Sequence, residues 1–233
     1  MKQALITGGA RGIGFGIAEA MLAAGYAVTV TGLTAQEAAA VPARDHLEAV
    51  QLDVTSDAEV AACIGKYQRL DALINCAGII LRDGKEFTIA GFQQVIDVNL
   101  TGTMRMCMAA KPLLEKSGGA IVNTASVWSF FGGALVPAYT ASKGGVAQLT
   151  KALAVAWAPT IRVNAIAPGW VETALTEGAR ADAARSQAII DRTPQGRWGK
   201  PQDIGGAVVF LCSEGAGFIT GTVLPVDGGY TAK

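Results

Sequence analysis

Histidine is almost missing from this sequence: His46 is the single one in 233 residues. One imidazole excludes an HExxH zinc site and leaves little for a Ser/His/Asp triad. Placed in a polar stretch ahead of an apolar run, His46 reads as a surface residue. Cysteine is sparse too. Cys63, Cys76, Cys107 and Cys212 show no CxxC spacing and fall within apolar patterns, so they read as buried free thiols and no metal site is expected. An excess of charge of one sign is also lacking, because 19 basic side chains cancel 19 acidic ones. That removes the electrostatic footprint of a nucleic-acid or anionic-membrane partner.

Long hydrophobic runs are equally scarce. The N-terminal MKQALITGG is too short in its apolar part, and too soon glycine-rich, to be a signal peptide, which implies a cytoplasmic protein. No charge occurs between Lys116 and Lys143, yet that stretch holds Asn123, Thr124, Ser126, Ser129, Pro137 and four glycines. It falls short of the ~20 predominantly apolar residues a bilayer requires. Eight prolines are scattered singly from Pro42 to Pro225, and no Ser/Gly-rich linker, charge run or repeat marks a seam. Residues 1–233 therefore read as one domain.

What the chain does have is alternation. QALIT (3–7), AVTVT (27–31), HLEAVQLD (46–53), DALIN (71–75), AIVNTAS (120–126), IRVNAIAP (161–168) and TVLPVD (222–227) read as strands, several of them almost continuously apolar. Parallel strands covered on both faces look like this. Helical patterns near 13–24, 56–68, 88–116, 138–158 and 201–213 lie between them, long enough for right-handed crossovers. The expected fold is α/β, a Rossmann-like doubly wound parallel sheet of about seven strands.

Ligands in such a sheet sit beyond the carboxyl ends of the strands. After the first strand comes TGGARGIGFG, whose Gly8, Gly12 and Gly14 give a GxxxGxG spacing. Small residues there let the backbone approach a pyrophosphate, and the helix after them offers free amides and a positive dipole end. The turn lacks a GK[ST], so a P-loop is excluded. Asp53, with Val54 after it, ends the third strand. It is placed either to accept from an adenine amino group or to cap a helix.

PAYTASKGG (137–145) places Tyr139 four residues before Lys143. Their ordinary pKa values are about 10 and about 10.4, but on a helix the two project from one face. A cation that close is expected to favour the phenolate and lower the tyrosine pKa, so that Tyr139 works as acid or base near neutral pH. Ser126 ends the fifth strand, where its hydroxyl can meet a substrate oxygen. Asn99 interrupts a long helical pattern, where a local distortion or a bound water is expected.

TGGARGIG (7–14), NCAG (75–78), Asn99, Ser126, YTASK (139–143) and PGWVET (168–173) together resemble the motif set of the short-chain dehydrogenases/reductases, in that family's order and spacing. The resemblance spans nearly the whole chain and includes the closing VDGGY (226–230). It implies that Tyr139 is the acid/base, that Lys143 also holds the nicotinamide ribose, that Ser126 polarises the substrate oxygen and that Asn99 holds a relay water. It also implies a cofactor site of Gly8, Arg11, Gly12, Ile13, Gly14, Asp53, Val54, Asn75, Ala77, Gly78, Pro168, Gly169, Val171 and Thr173, and a homotetramer. Cys76 departs from the pattern, where many members carry a second asparagine. SFFGGALVPAYTASK and RADAARSQAIIDRTPQGRWGKPQDI are similar to the sugar-acid branch, in particular 2-dehydro-3-deoxy-D-gluconate 5-dehydrogenases and 2-deoxygluconate 3-dehydrogenases.

The cofactor choice rests on the residues just after the second strand. Thr31, Gly32, Leu33 and Thr34 carry neither an acid for a ribose 2′-hydroxyl nor an arginine for a 2′-phosphate. Arg11 leaves NADP open, while the missing second cation and the sugar-acid resemblance tilt the reading to NAD. The chain thus reads as an oxidoreductase acting on a small polar substrate, with an NADP-dependent ketone or 3-oxoacyl-acyl-carrier-protein reductase as the alternative. A catalytically silent dinucleotide-binding regulator would have no chemical reason to keep the four catalytic residues, and a methyltransferase would not need Ser126, Tyr139 and Lys143 together. Arg82 and Arg180, with Trp128, are expected to face the substrate, because an arginine fork matches a carboxylate. The segments 88–114 and 138–159 carry so little charge that each is expected to bury a second face in an oligomer.

Overall fold

A computed structural model describes all of residues 1–233. Strands β1 (Lys2–Thr7), β2 (Tyr26–Gly32), β3 (Leu47–Gln51), β4 (Ala72–Asn75), β5 (Ala120–Thr124), β6 (Arg162–Pro168) and β7 (Val223–Val226) form one sheet in the order β3-β2-β1-β4-β5-β6-β7. Every pairing is parallel. The order reverses between β1 and β4, which opens a crevice at their carboxyl ends. All seven runs expected to be strands are strands, β1 and β2 a residue longer at one or both ends and the others trimmed by one to three residues in all.

The near-continuous apolar character of the strands has its cause in two covered faces. Ala4 and Ile6 of β1, with Ile74 and Val122, pack under α1 (Gly12–Ala23) and α9 (Pro201–Cys212) through Ile17, Met21, Ile204 and Val208. Leu5, between them in sequence, points to the opposite layer with Leu73, Ile121 and Val163. That layer is built from α3 (Asp57–Ile64), α5 (Gly102–Ser117) and α6 (Pro137–Trp157) through Val60, Met106, Leu114 and Trp157. A one-residue alternation thus divides the core into two halves on one domain-wide sheet.

Three local features differ from the sequence reading. The pattern at 56–68 is helical only to Ile64, where Gly65 takes the C-cap. The pattern at 88–116 is two helices, α4 (Ile89–Ile96) and α5, joined by a π turn over Asp97–Thr101. Short helices α2 (Ala35–Ala39), α7 (Glu177–Ala181) and α8 (Ala183–Arg192) complete the chain order. Cys63, Cys107 and Cys212 are buried and Cys76 is half-buried, all four unpaired. His46 is exposed. No helix is long and apolar enough to cross a membrane, and no cluster of potential metal ligands occurs.

Candidate active site

The turn from β1 to α1 is shaped by close approach. Gly8 has φ +62°, and a Cβ there would lie 2.7 Å from the Ala77 Cα. Only glycine lets the ends of β1 and β4 close on each other in this way. Thr7 Oγ1 locks the junction by accepting from the Cys76 and Ala77 amides at 3.1 and 3.2 Å. No side chain caps α1, and no acid stands in its first turn. The amides of Gly12, Ile13 and Gly14 therefore present a positive helix end to the crevice. This cradle fits a dinucleotide pyrophosphate.

Two cavities flank the turn. The one on the β2 side, of about 160 Å³, is lined by Gly8, Arg11, Leu33, Glu37, Asp53, Val54, Ala77 and Gly78. Asp53 does not cap α3. Its Oδ1 accepts from the Thr55 amide and hydroxyl at 2.9 and 2.8 Å, while Ser56 is the N-cap. Asn75 is not on this wall either. Its buried Nδ2 donates to Asn123 Oδ1 at 2.9 Å, which ties β4 to β5 beneath the crevice.

The second cavity, of about 430 Å³, lies over β5 and β6. Ser126, Trp128, Tyr139, Pro168, Gly169, Val171 and Thr173 line it, and Ile13 brings the start of α1 to its edge. Its only charged lining residues are Arg82 and Arg185. Arg180 is not among them. It belongs to α7 and donates to the Thr173 carbonyl at 3.2 Å. One helix later, Arg185 holds its guanidinium 5.8 Å from the Trp170 ring centroid.

Tyr139 and Lys143 do share one face of α6. The Lys143 Nζ lies 5.6 Å from the Tyr139 ring centroid and donates to the Thr124 carbonyl at 2.7 Å. The expected lowering of the tyrosine is not what this arrangement gives. Burial pushes the phenol up to about 12, with the Ser126 hydroxyl and the Arg82 charge offsetting part of the rise and Cys76 and Glu86 adding to it. Burial also lowers the Lys143 ammonium to about 8. For both groups desolvation is the largest influence, and it outweighs the charges nearby.

Asn99 sits in the π turn, completely buried. Its side chain exchanges two hydrogen bonds with Ile79, accepting from the amide at 2.8 Å and donating to the carbonyl at 2.9 Å. Nδ2 also donates to Ser142 Oγ at 3.0 Å. The distortion expected there is present, and it fastens the β4 loop to α6.

Sequence reasoning missed Glu37 and Glu86, and it passed over Arg185 in favour of Arg180. Glu37 enters the smaller cavity, pairs with Arg11 at 3.1 Å and accepts from the Leu33 amide at 2.8 Å. Its signal was a capping-box spacing, Thr34-Ala-Gln-Glu37, in which the Thr34 hydroxyl accepts from the Glu37 amide at 3.1 Å. Arg185 carried no signal that set it apart from its neighbouring arginines. Glu86, buried beside Tyr139, had none at all.

Comparison with known proteins agrees with this geometry. The sequence model of the enoyl-(acyl carrier protein) reductase family matches residues 8–231. A 2-dehydro-3-deoxy-D-gluconate 5-dehydrogenase of Bacillus subtilis is 40% identical over 242 residues, covering 100% of this chain and 95% of the relative. The enzyme of the same name from Dickeya dadantii is 40% identical over 243 residues, with 100% and 96% covered. Among solved structures, a gluconate 5-dehydrogenase from Burkholderia cenocepacia in complex with NADP and tartrate superimposes with a TM-score of 0.94. It is 34% identical, and the match covers 100% of this chain and 96% of that one.

Proposed function

The chain belongs to the short-chain dehydrogenase/reductase family, and from that premise we propose that it interconverts a secondary alcohol and a ketone of a sugar acid with Tyr139 as the proton-transferring residue. It is an NAD(P)-dependent oxidoreductase acting on CH–OH groups of a small polar substrate. The observation that carries the reading is the convergence of Ser126 and Tyr139 on one cavity beside an anion-binding helix end. One domain, residues 1–233, holds both the dinucleotide and the chemistry.

The nicotinamide, when bound, supplies the hydride acceptor or donor and, in its oxidised form, a positive charge at the reacting centre. In the oxidative direction that positive charge would offset the rise that burial imposes on the Tyr139 phenol, which then takes the substrate hydroxyl proton while Ser126 holds the same oxygen. Lys143 holds the ribose and, with its ammonium lowered to about 8, exchanges protons near neutral pH. Asn99 positions a relay water through the main chain of its π turn, because its amide is committed to Ile79 and Ser142. Gly12, Ile13 and Gly14 hold the pyrophosphate, Ala77 and Gly78 flank the adenosine, and Pro168, Gly169, Val171 and Thr173 hold the carboxamide side. Asp53 and Val54 line the adenine end of the smaller cavity.

NAD is the preferred cofactor in this reading. Glu37 places a carboxylate where a ribose 2′-hydroxyl can donate, and it occupies the Arg11 guanidinium. The B. cenocepacia structure holds NADP, and Arg11 is 72% exposed, so an NADP-dependent reductase is the second reading. The four unpaired cysteines support a cytoplasmic setting. Ile89, Met108 and Val155 expose apolar side chains on α4, α5 and α6, which supports a homo-oligomer, a tetramer in this reading.

The substrate class follows from charge. With Arg82 and Arg185 as the only charges on the cavity wall, and the buried Trp170 Nε1 donor without a partner, a carboxylate is the best-matched ligand. The test is kcat/KM for 2-dehydro-3-deoxy-D-gluconate against its uncharged C1 alcohol, in the wild type and in Arg82→Ala and Arg185→Ala. The acid should be preferred at least about tenfold, with the preference reduced in one or both variants. Equal use of both compounds by the wild type contradicts the acid assignment.

A further inference from the structure

Two carboxylates of this chain are buried, Asp71 and Glu86. Asp71 is paired with Arg69. Glu86 is 1% exposed and has no cationic partner, a costly state for a carboxylate unless hydrogen bonds hold it. Both of its oxygens are used on main-chain donors. Oε1 accepts from the Leu81 amide at 2.9 Å, and Oε2 accepts from the Tyr139 amide at 2.9 Å.

These two amides belong to different parts of the site. Tyr139 is in the first turn of α6, whose N-terminus has no side-chain cap of its own. A carboxylate there complements the positive end of a long helix. Leu81 precedes Arg82 on the loop after β4, and that loop is already tied at Ile79 by Asn99. Arg82 then reaches across the cavity mouth, donating to the Leu175 carbonyl at 3.0 Å. The 3-10 turn that carries Glu86 (Lys85–Phe87) thus ties the main chain of Leu81, next to Arg82, to that of Tyr139.

We propose that Glu86 is a positioning residue, which by accepting the Leu81 and Tyr139 amides together fixes the proton-transferring tyrosine and the substrate-facing Arg82 in one frame. The assignment rests on the role given to Tyr139 above. Glutamine keeps the shape of Glu86 but offers one acceptor oxygen, so one of the two amides would face an NH₂ group. A small displacement of either partner costs heavily in rate, because proton and hydride transfer both depend on near-attack geometry. Besides Glu86, the groups facing the Tyr139 phenol are Ser126 after β5, Cys76 after β4, Arg82 on the loop and Lys143 on α6. Only Glu86 brings a full negative charge among them, and that charge disfavours the phenolate.

The experiment compares wild type with Glu86→Gln, each saturated with NAD, and follows phenolate absorbance against pH with Tyr139→Phe as the blank. The Tyr139 midpoint should move to lower pH in Glu86→Gln. NAD affinity should be retained, and kcat/KM for 2-dehydro-3-deoxy-D-gluconate should fall by about tenfold to 10²-fold. An unchanged midpoint or an unchanged kcat/KM overturns the proposal; should the wild type not turn over this compound, the midpoint alone decides. A Glu86→Gln protein that cannot bind NAD is replaced by Glu86→Asp, which keeps the charge but is one methylene short. It must hold the wild-type midpoint and lose kcat/KM. Loss of NAD binding in both variants also overturns the proposal, since Glu86 would then be a residue of the fold. If Tyr139→Phe is itself fully active, the mechanism has failed, whereas an inactive Tyr139→Phe beside a wild-type Glu86→Gln fails Glu86 alone.

Discussion

Lys143 enters the folded state with its ammonium lowered to about 8 by burial, from an ordinary 10.5. Below about pH 8 both folded and unfolded chains bind that proton, and the folded state bears the full desolvation cost. Between about 8 and 10.5 the unfolded chain holds a proton that the folded chain has released, so stability rises with pH. Relative to Lys143→Met, the wild type should gain on the order of 3 kcal/mol across that window in denaturant titrations. Cys107, Cys212 and Tyr26 are raised to about 12 and act in the opposite sense. Their stabilisation is present below their unfolded pKa values and is lost as pH climbs towards about 12, equally in both proteins. A wild-type-minus-variant difference that stays flat contradicts the buried cation. The residue pairs themselves were legible, because spacing of four on a helix fixes a shared face. The direction of the Tyr139 shift was not, because desolvation depends on loops that a local reading cannot place. The same limit explains Arg180 and Arg185, which are five apart on two short helices, and Glu86, which meets an amide 53 positions away.

In the proposed function the element that sets the cofactor preference is α2. Gly32 ends β2, and a Cβ there would lie 2.7 Å from the Glu37 Cβ, so glycine is what lets the first turn of α2 fold back on the strand. The Thr34 cap then holds Glu37 with its carboxylate on the Leu33 amide. The acid that the strand end lacks is supplied by Glu37, five residues after Gly32, by way of the helix. Fluorescence titration should show NADH binding at least about tenfold tighter than NADPH, ~1.4 kcal/mol, with the gap narrowed in Glu37→Gln. Tighter NADPH binding by the wild type sinks this account of α2. The inner strands were readable because they are covered on both faces and almost continuously apolar, whereas the edge strands β3 and β7 are only partly buried. The π turn was visible only as a weak residue in a helix, since its cause is a contact between Asn99 and Ile79 across the chain.

At the scale of the molecule, the parallel sheet gathers both cavities beyond the carboxyl ends of its strands, and the helices with least charge lie on its flanks. Those helices leave Ile89 and Val155 at 87% and 84% exposure, which is unfavourable in an isolated chain and natural at a two-fold contact. Light scattering at micromolar concentration should therefore give a dimer or a tetramer, the family resemblance favouring the tetramer, and a monomer contradicts this reading. In the proposed function, the carboxyl ends of these strands carry out a hydride transfer governed by the Tyr139 proton. The most direct measurement is the kcat of Tyr139→Phe with 2-dehydro-3-deoxy-D-gluconate and NAD, alongside its NAD affinity. Turnover should fall by ~10² to 10⁴ while NAD binding is kept; turnover near that of the wild type would contradict the mechanism outright.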